Sequence, residues 1–160
     1  LTLIETLVSV KPGSALAQAM EKRAEILRLS EAAHDAVLLP RDPGGLSHGL
    51  RAALAARMAR QNRNPALASH YDTLVAQAND PTTATLADPE NNVTDLRTAE
   101  IVRHADRLTV TPRDATRANV EALRQVGVTD ADIVRLAELA AFVNYQVRVL
   151  AGLKLLGEMR

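Results

Sequence analysis

Apolar residues recur along this chain at intervals of three and four, with charged residues set between them, and no convincing alternation of apolar and polar positions interrupts that rhythm. The three-to-four interval is the signature of helices buried by one face, whereas half-buried strands would alternate strictly. The clearest stretch is residues 129–157, where Ile133, Leu136, Ala140, Val143, Val147, Leu150 and Ala151 keep the helical period. Thr129 stands as N-cap with Asp132 three residues on, a capping-box pattern, and Asp130 and Asp132 sit at the positive end of the helix dipole. Gly157 is the expected stop. Between Leu139 and Val147 most of the circumference is apolar, which predicts that other helices sheathe this segment.

The same reading divides the rest of the chain into helices and punctuation. A short lead-in helix is expected over 3–10, ending before Pro12. Ser14 opens a single long helix to about residue 38, closed by Pro40, with Leu16, Met20, Ala24, Leu27 and Val37 facing inward. The loop RDPGG follows. Ser47 caps a helix to about residue 62, and Asn64-Pro65 starts another to about residue 78. The polar run 79–92, with Pro81 and Pro89, is the longest loop, read either as a mobile segment or as a cover over a site. Helices over 94–108 and from Thr111-Pro112 to Gly127 complete the set. The prediction is an all-α fold of about six or seven helices in one domain spanning 1–160.

Composition sharpens this. Hydrophobic residues make up 47% of the 160 but aromatics only 2%, so the core must be built from Ala, Leu and Val, which let helices approach closely. Nineteen basic residues balance nineteen acidic ones, which gives no electrostatic case for nucleic acid or an anionic membrane as partner. No cysteine is present, which excludes disulfides, thiolate nucleophiles and Cys-ligated metal centres. Arg135, Glu138, Asn144 and Arg148 are expected to disqualify the most apolar stretch as a membrane span. No basic region followed by an apolar run marks a signal peptide, so the cytoplasm is the expected compartment. Leu1 is not an initiator Met.

Two segments resemble a known family. Gly127-Val128-Thr129-Asp130-Ala131-Asp132-Ile133 followed by Phe142-Val143-Asn144-Tyr145-Gln146-Val147-Arg148 is similar to the turn and long helix of the carboxymuconolactone decarboxylase and alkylhydroperoxidase AhpD-like superfamily. The segment LSHGLRAALAARMARQNRNPALASHY resembles that family's helix-turn-helix. The resemblance implies an AhpD-like helical domain and a homo-oligomer whose helices pack across subunits. Peroxidase members carry a Glu, a Cys-x-x-Cys and a His four residues after the second Cys. Matching the His to His70 puts Ala66 and Arg63 where the cysteines would be and Arg51 where the Glu would be. A relay that needs one thiolate to attack peroxide and a second thiol to resolve the sulfenic acid is therefore absent.

What the resemblance leaves is acid/base chemistry or none. In the first reading His70 is a proton donor or acceptor, as the family's lactone decarboxylases need no cysteine, with Arg51, Arg63 and Tyr71 holding a small carboxylate or lactone. In the second, His70 is an inert interface histidine and the protein is a non-catalytic structural or ligand-binding subunit beside an active relative. Asn144 and Arg148 are read as a structural pair at a helix or subunit interface. Arg135 and Glu138 are expected to pair on the surface. His34 beside Asp35 and His104 near Asp106 are read as solvated, and the run Arg51, Arg57, Arg60, Arg63 as a solvated or anion-facing stripe. No metal-binding histidine pattern, phosphate loop or nucleophile elbow occurs, and no cofactor is implied.

Overall fold

The computed structural model describes residues 1–158. Among them it has nine α-helices and no strand: α1 (Leu3–Val8), α2 (Ala15–Glu21), α3 (Ala24–Leu38), α4 (His48–Gln61), α5 (Pro65–Ala78), α6 (Pro81–Ala84), α7 (Leu96–Val110), α8 (Arg117–Gln125) and α9 (Asp130–Glu158). The side chains of Ser14, Ser47, Asn64 and Asp95 each accept the hydrogen bond that starts a helix. Thr129 and Asp132 form the expected cap: the Asp132 N–H donates to the Thr129 hydroxyl at 3.2 Å, and that hydroxyl donates to the Asp132 carboxylate at 3.0 Å.

The helices wrap two inner members. α9 is touched by α1, α2, α3, α4, α7 and α8, and α4 by α3, α5, α6, α7 and α9. Of the two, α4 is the sheathed one, because every residue from Gly49 to Ala59 is buried. Six alanines and glycines in that run keep its girth small enough for neighbours on all sides. α9 buries Leu136, Leu139, Ala140, Val143 and Leu150 but leaves Ala137, Ala141, Tyr145 and Arg148 exposed, so the expected sheath covers only one side of it. By length and hydropathy alone α9 is apolar enough to cross a membrane, contrary to the sequence reading, but here it packs as a core helix.

Four expectations are corrected. The single helix over 14–38 is two, broken at Lys22 and Arg23. No Pro or Gly marks that break. It lets α2 and α3 lie on different parts of α9, a tertiary demand that overrides local propensity. The 79–92 run is not loop throughout: it forms α6 and a 3₁₀ turn over Thr85–Ala87. The helix expected from Thr111 begins instead after a 3₁₀ turn over Pro112–Asp114. Gly157 does not stop α9, which runs to Glu158.

The RDPGG turn is locked onto the start of α9. Gly44 has φ +61, and the Gly45 N–H donates to Asp132 at 3.0 Å, so closely that a Cβ on Gly45 would collide with that carboxylate. Burial opposes the charge on Asp132, but hydrogen bonds from Arg135, Gly45 and Thr129 outweigh it and hold the carboxyl below its usual range. Arg135 thus pairs with Asp132 at 2.9 Å, and the expected pairing with Glu138 is not made.

Candidate functional site

The chain has three Phe or Tyr side chains, and they gather with two of its four histidines where α3, α5 and α9 converge: Tyr71 meets His34 and His70, Phe142 meets His34, and Tyr145 packs on Phe142. Helical spacing puts them there. On α3 the buried residues are Leu27, Ser30, His34 and Leu38, one stripe at intervals of three and four. On α5, started by Asn64 and Pro65, Tyr71 lies in the buried stripe with Leu67, Ala68 and Leu74, and His70 stands at its edge, half-buried. On α9, Phe142 and Gln146 are one turn apart and both buried. The His34 ring lies nearly parallel to Tyr71 at 6.3 Å between centroids and meets Phe142 edge-on at 6.3 Å.

The two histidines face each other, with Nε2 to Nε2 at 2.9 Å. His34 Nδ1 lies 3.0 Å from the Asp35 carboxylate. Their protons follow from what each atom can do. A carboxylate only accepts, so His34 carries its proton on Nδ1 and donates it to Asp35. In the neutral ring its Nε2 then accepts, so the bridging hydrogen belongs to His70 Nε2, and His70 Nδ1 is left as a bare lone pair. Burial, and next the nearby His34, push the His70 pKa down to about 4, so near neutral pH that lone pair is free. Burial raises the Tyr71 hydroxyl well above its usual range, which keeps it a proton-bearing donor to Gln146 Oε1. Ser30 gives its own hydrogen to Ile26 O at 2.9 Å and so accepts from the Tyr145 hydroxyl at 2.8 Å.

Of the proposed site residues, only His70 and Tyr71 come together. Arg51 is buried against the RDPGG turn, donating to Leu46 O, Val37 O and Pro43 O at 2.8, 2.8 and 2.9 Å. Arg63 is exposed in the α4–α5 turn with φ +55. Asn144 is buried; it donates to Ala140 O at 2.8 Å and accepts from Asn62 at 3.2 Å, while exposed Arg148, among the described residues, donates only to Asn144 O.

Two further readings are corrected. The arginine run is not a solvated stripe, because Arg51 and Arg57 are buried, and Arg57 grips Asp106 and the carbonyls of Leu86, Asp88 and Pro89. His34 and His104 are not solvated but buried. Burial, with Arg107 adding to it, lowers the His104 pKa. Sequence reading missed His34, Asp35 and Gln146. For His34 a signal existed, since it shares the inward stripe of α3 with Leu27 and Leu38.

A cleft of about 690 Å³ opens one helical turn from His70, with Ala66 in its wall. Two others, of about 680 and 420 Å³, flank the 79–98 region away from the histidines. Among the described residues no group of three or more His, Asp or Glu is placed to hold a metal.

No family model matches the sequence, and no curated protein does. Solved structures do. An uncharacterized peroxidase-related protein from Silicibacter sp. TM1040 is similar over 81% of this chain and 68% of its own, at 23% identity and a TM-score of 0.70. A second, described as an alkylhydroperoxidase AhpD core and uncharacterized peroxidase-related protein from Ralstonia eutropha JMP134, is similar over 84% and 71%, at 22% identity and a TM-score of 0.69. With its described helices packed about α4 and α9, this chain has the AhpD-like fold of these two structures.

Proposed function

We propose that this protein is a cysteine-free AhpD-like enzyme performing acid/base chemistry on a small carboxylic acid or lactone, as carboxymuconolactone decarboxylases do. One observation carries the reading: the Asp35–His34–His70 line, with 3.0 and 2.9 Å between successive partners, leaves His70 Nδ1 as an oriented and unprotonated acceptor. Asp35 and His34 are positioning residues, and His70 is the group that meets substrate. In such a reaction Nδ1 takes a proton from a carbon beside a carbonyl while the C–H electron pair passes into the carbonyl. The imidazolium then returns the proton to another carbon of the same conjugated system; in a decarboxylation Nδ1 instead takes the carboxylic acid proton, the C–CO₂ electron pair passes into the conjugated carbonyl as CO₂ leaves, and the imidazolium returns that proton to the carbon that has lost CO₂. The bridging hydrogen stays in place throughout, because the proton arrives on the far nitrogen.

Self-association belongs to the same reading. Ile26 and Leu29 on α3 and Tyr145 on α9 are 50%, 51% and 37% exposed, and Ser30 ties Tyr145 to α3, so a second copy would cover this apolar side of α3 and α9. The competing reading, a non-catalytic subunit, draws on the absence of Arg51 and Arg63 from the cluster.

A screen of small lactones and β-keto acids against wild type and His70→Gln separates the two. Wild-type turnover, reduced in the variant by at least about a hundredfold, is the expected result. Equal rates in both proteins remove the catalytic proposal, and a monomer mass by light scattering at micromolar concentration removes self-association.

A further inference from the structure

We infer that the cleft beside Ala66 is the carboxylate-binding half of the site, taking a monocarboxylic acid with an apolar tail. The inference rests on His70 as the reacting group, and it replaces Arg51 and Arg63, whose positions exclude them, with Lys11 and Lys154.

The cleft forms where the end of α1, the start of α2, the start of α5 and the end of α9 meet. At about 690 Å³ it lies within the range of small-molecule sites, about 300–1,000 Å³. Leu7, Val8, Val10, Leu16 and Leu156 give it an apolar wall, and Leu156 is 57% exposed, a large side chain with little covering it. The chain has three lysines against sixteen arginines, and two of the three, Lys11 and Lys154, line this cleft. Neither is in an ion pair among the described residues, whereas Arg28, Arg57, Arg60, Arg103, Arg124 and Arg135 all have carboxylate partners.

Charge fixes the class of ligand. Two ammonium groups against the single carboxylate of Glu158 in the lining leave one positive charge over, which suits a monoanion and disfavours a dianion. The ammoniums are point charges on flexible stems, so they can follow a carboxylate without the fixed fork an arginine would impose.

Position joins the cleft to the chemistry. Ala66 and His70 are four apart on α5, so their Cβ atoms are neighbours on one helix face at roughly 6 Å. A carboxylate seated between the lysines would extend its tail along the apolar wall toward that turn. The small side chain at Ala66, the position the family resemblance assigns to a cysteine, leaves room there.

The test uses the full chain and hexanoate as probe, with hexanamide as its uncharged counterpart, followed by calorimetry and amide chemical shifts. Expected are shifts at Leu7, Ala66 and Leu156 and hexanoate binding about tenfold tighter than hexanamide binding. Lys11→Met with Lys154→Met, both at exposed positions, should bring hexanoate down to the hexanamide level, while His70→Gln should bind hexanoate as wild type does. Hexanoate binding unchanged in the double lysine variant, or no shifts at these residues in wild type, overturns the assignment. Lactone turnover is scored separately: binding without turnover refutes the chemistry assigned to His70, and turnover without hexanoate binding refutes the cleft.

Discussion

α4 and α9 are both inner helices, and each is the reverse of what its composition suggests. α4, HGLRAALAARMARQ, reads as amphipathic with a basic face, yet it is buried all round from Gly49 to Ala59. α9 reads as greasy through its middle, yet one side of it meets solvent at Ala137, Ala141 and Tyr145. The difference lies in how polar groups are satisfied. Arg51 and Arg57 are admitted to the core because their guanidinium groups end on carbonyls or a carboxylate, so they act as fasteners for the loops that supply those carbonyls. Next to α9, half-buried His70 keeps Nδ1 without a hydrogen-bond partner, and among the described residues Gln61 Oε1, His104 Nδ1 and Arg107 Nη1 are buried without one. Those three atoms are shut off from solvent, whereas His70 stands at the edge of its stripe, which is what fits it for chemistry.

The largest way to break this comparison is to remove a fastener. Arg57→Met takes the cation from Asp106, leaving it only Gln61 among the described residues, and strips the guanidinium from the carbonyls of Leu86, Asp88 and Pro89. Losing one partner of a buried ion pair costs about 3–5 kcal/mol, and because the Asp106 side chain keeps 29% exposure the lower end applies. Thermal unfolding should fall by roughly 6–12 °C, with the 79–92 segment losing hydrogen-exchange protection first. A melting point within a degree or two of wild type would show that Arg57 is not a fastener.

Much of this fold is legible in the sequence, and the exceptions have physical causes. Caps at Ser14, Ser47, Asn64 and Thr129 are local, so their residues announce them. The break at Lys22 and Arg23 is dictated by where α2 and α3 land on α9, which no local residue records. The buried arginines were misread because charge was taken as a sign of exposure, while the carbonyls that solvate them lie up to 32 residues away. The histidine pair is hidden for the same reason, with 36 residues between its members. The periodicity of α3 alone would have turned His34 inward, and that is as far as a single sequence reaches.

A smaller effect tests the state of the leftover nitrogen. His70 has a folded pKa of about 4 against an ordinary value of 6.5, so on acidification the unfolded chain takes up the proton before the folded protein does. Its contribution to stability is present above pH 6.5 and is lost as the pH falls toward 4, amounting to about 2 kcal/mol once partial exposure is allowed for. His104, also shifted down, acts in the same direction. Urea titrations at pH 7 and pH 4.5 should therefore show a smaller acid-induced loss in His70→Gln than in wild type. An identical loss in both would mean that His70 titrates in the fold as it does in the unfolded chain, and that burial does not hold its lone pair free.

The smallest effect comes from the arginine that fastens nothing. Arg63 is exposed and occupies the left-handed region at φ +55, where a side chain with a Cβ costs roughly 1 kcal/mol and glycine does not. Its backbone N–H donates to Arg60 O, and that turn sets α5 at its angle to α4. Arg63→Gly keeps the turn and releases the strain, at the cost of a more flexible unfolded chain. Stability should be unchanged or higher by up to about 0.5 kcal/mol, and hexanoate affinity should match wild type. A loss of hexanoate binding in this variant would return Arg63 to the site and remove the distinction drawn here between arginines that meet backbone and lysines that meet ligand.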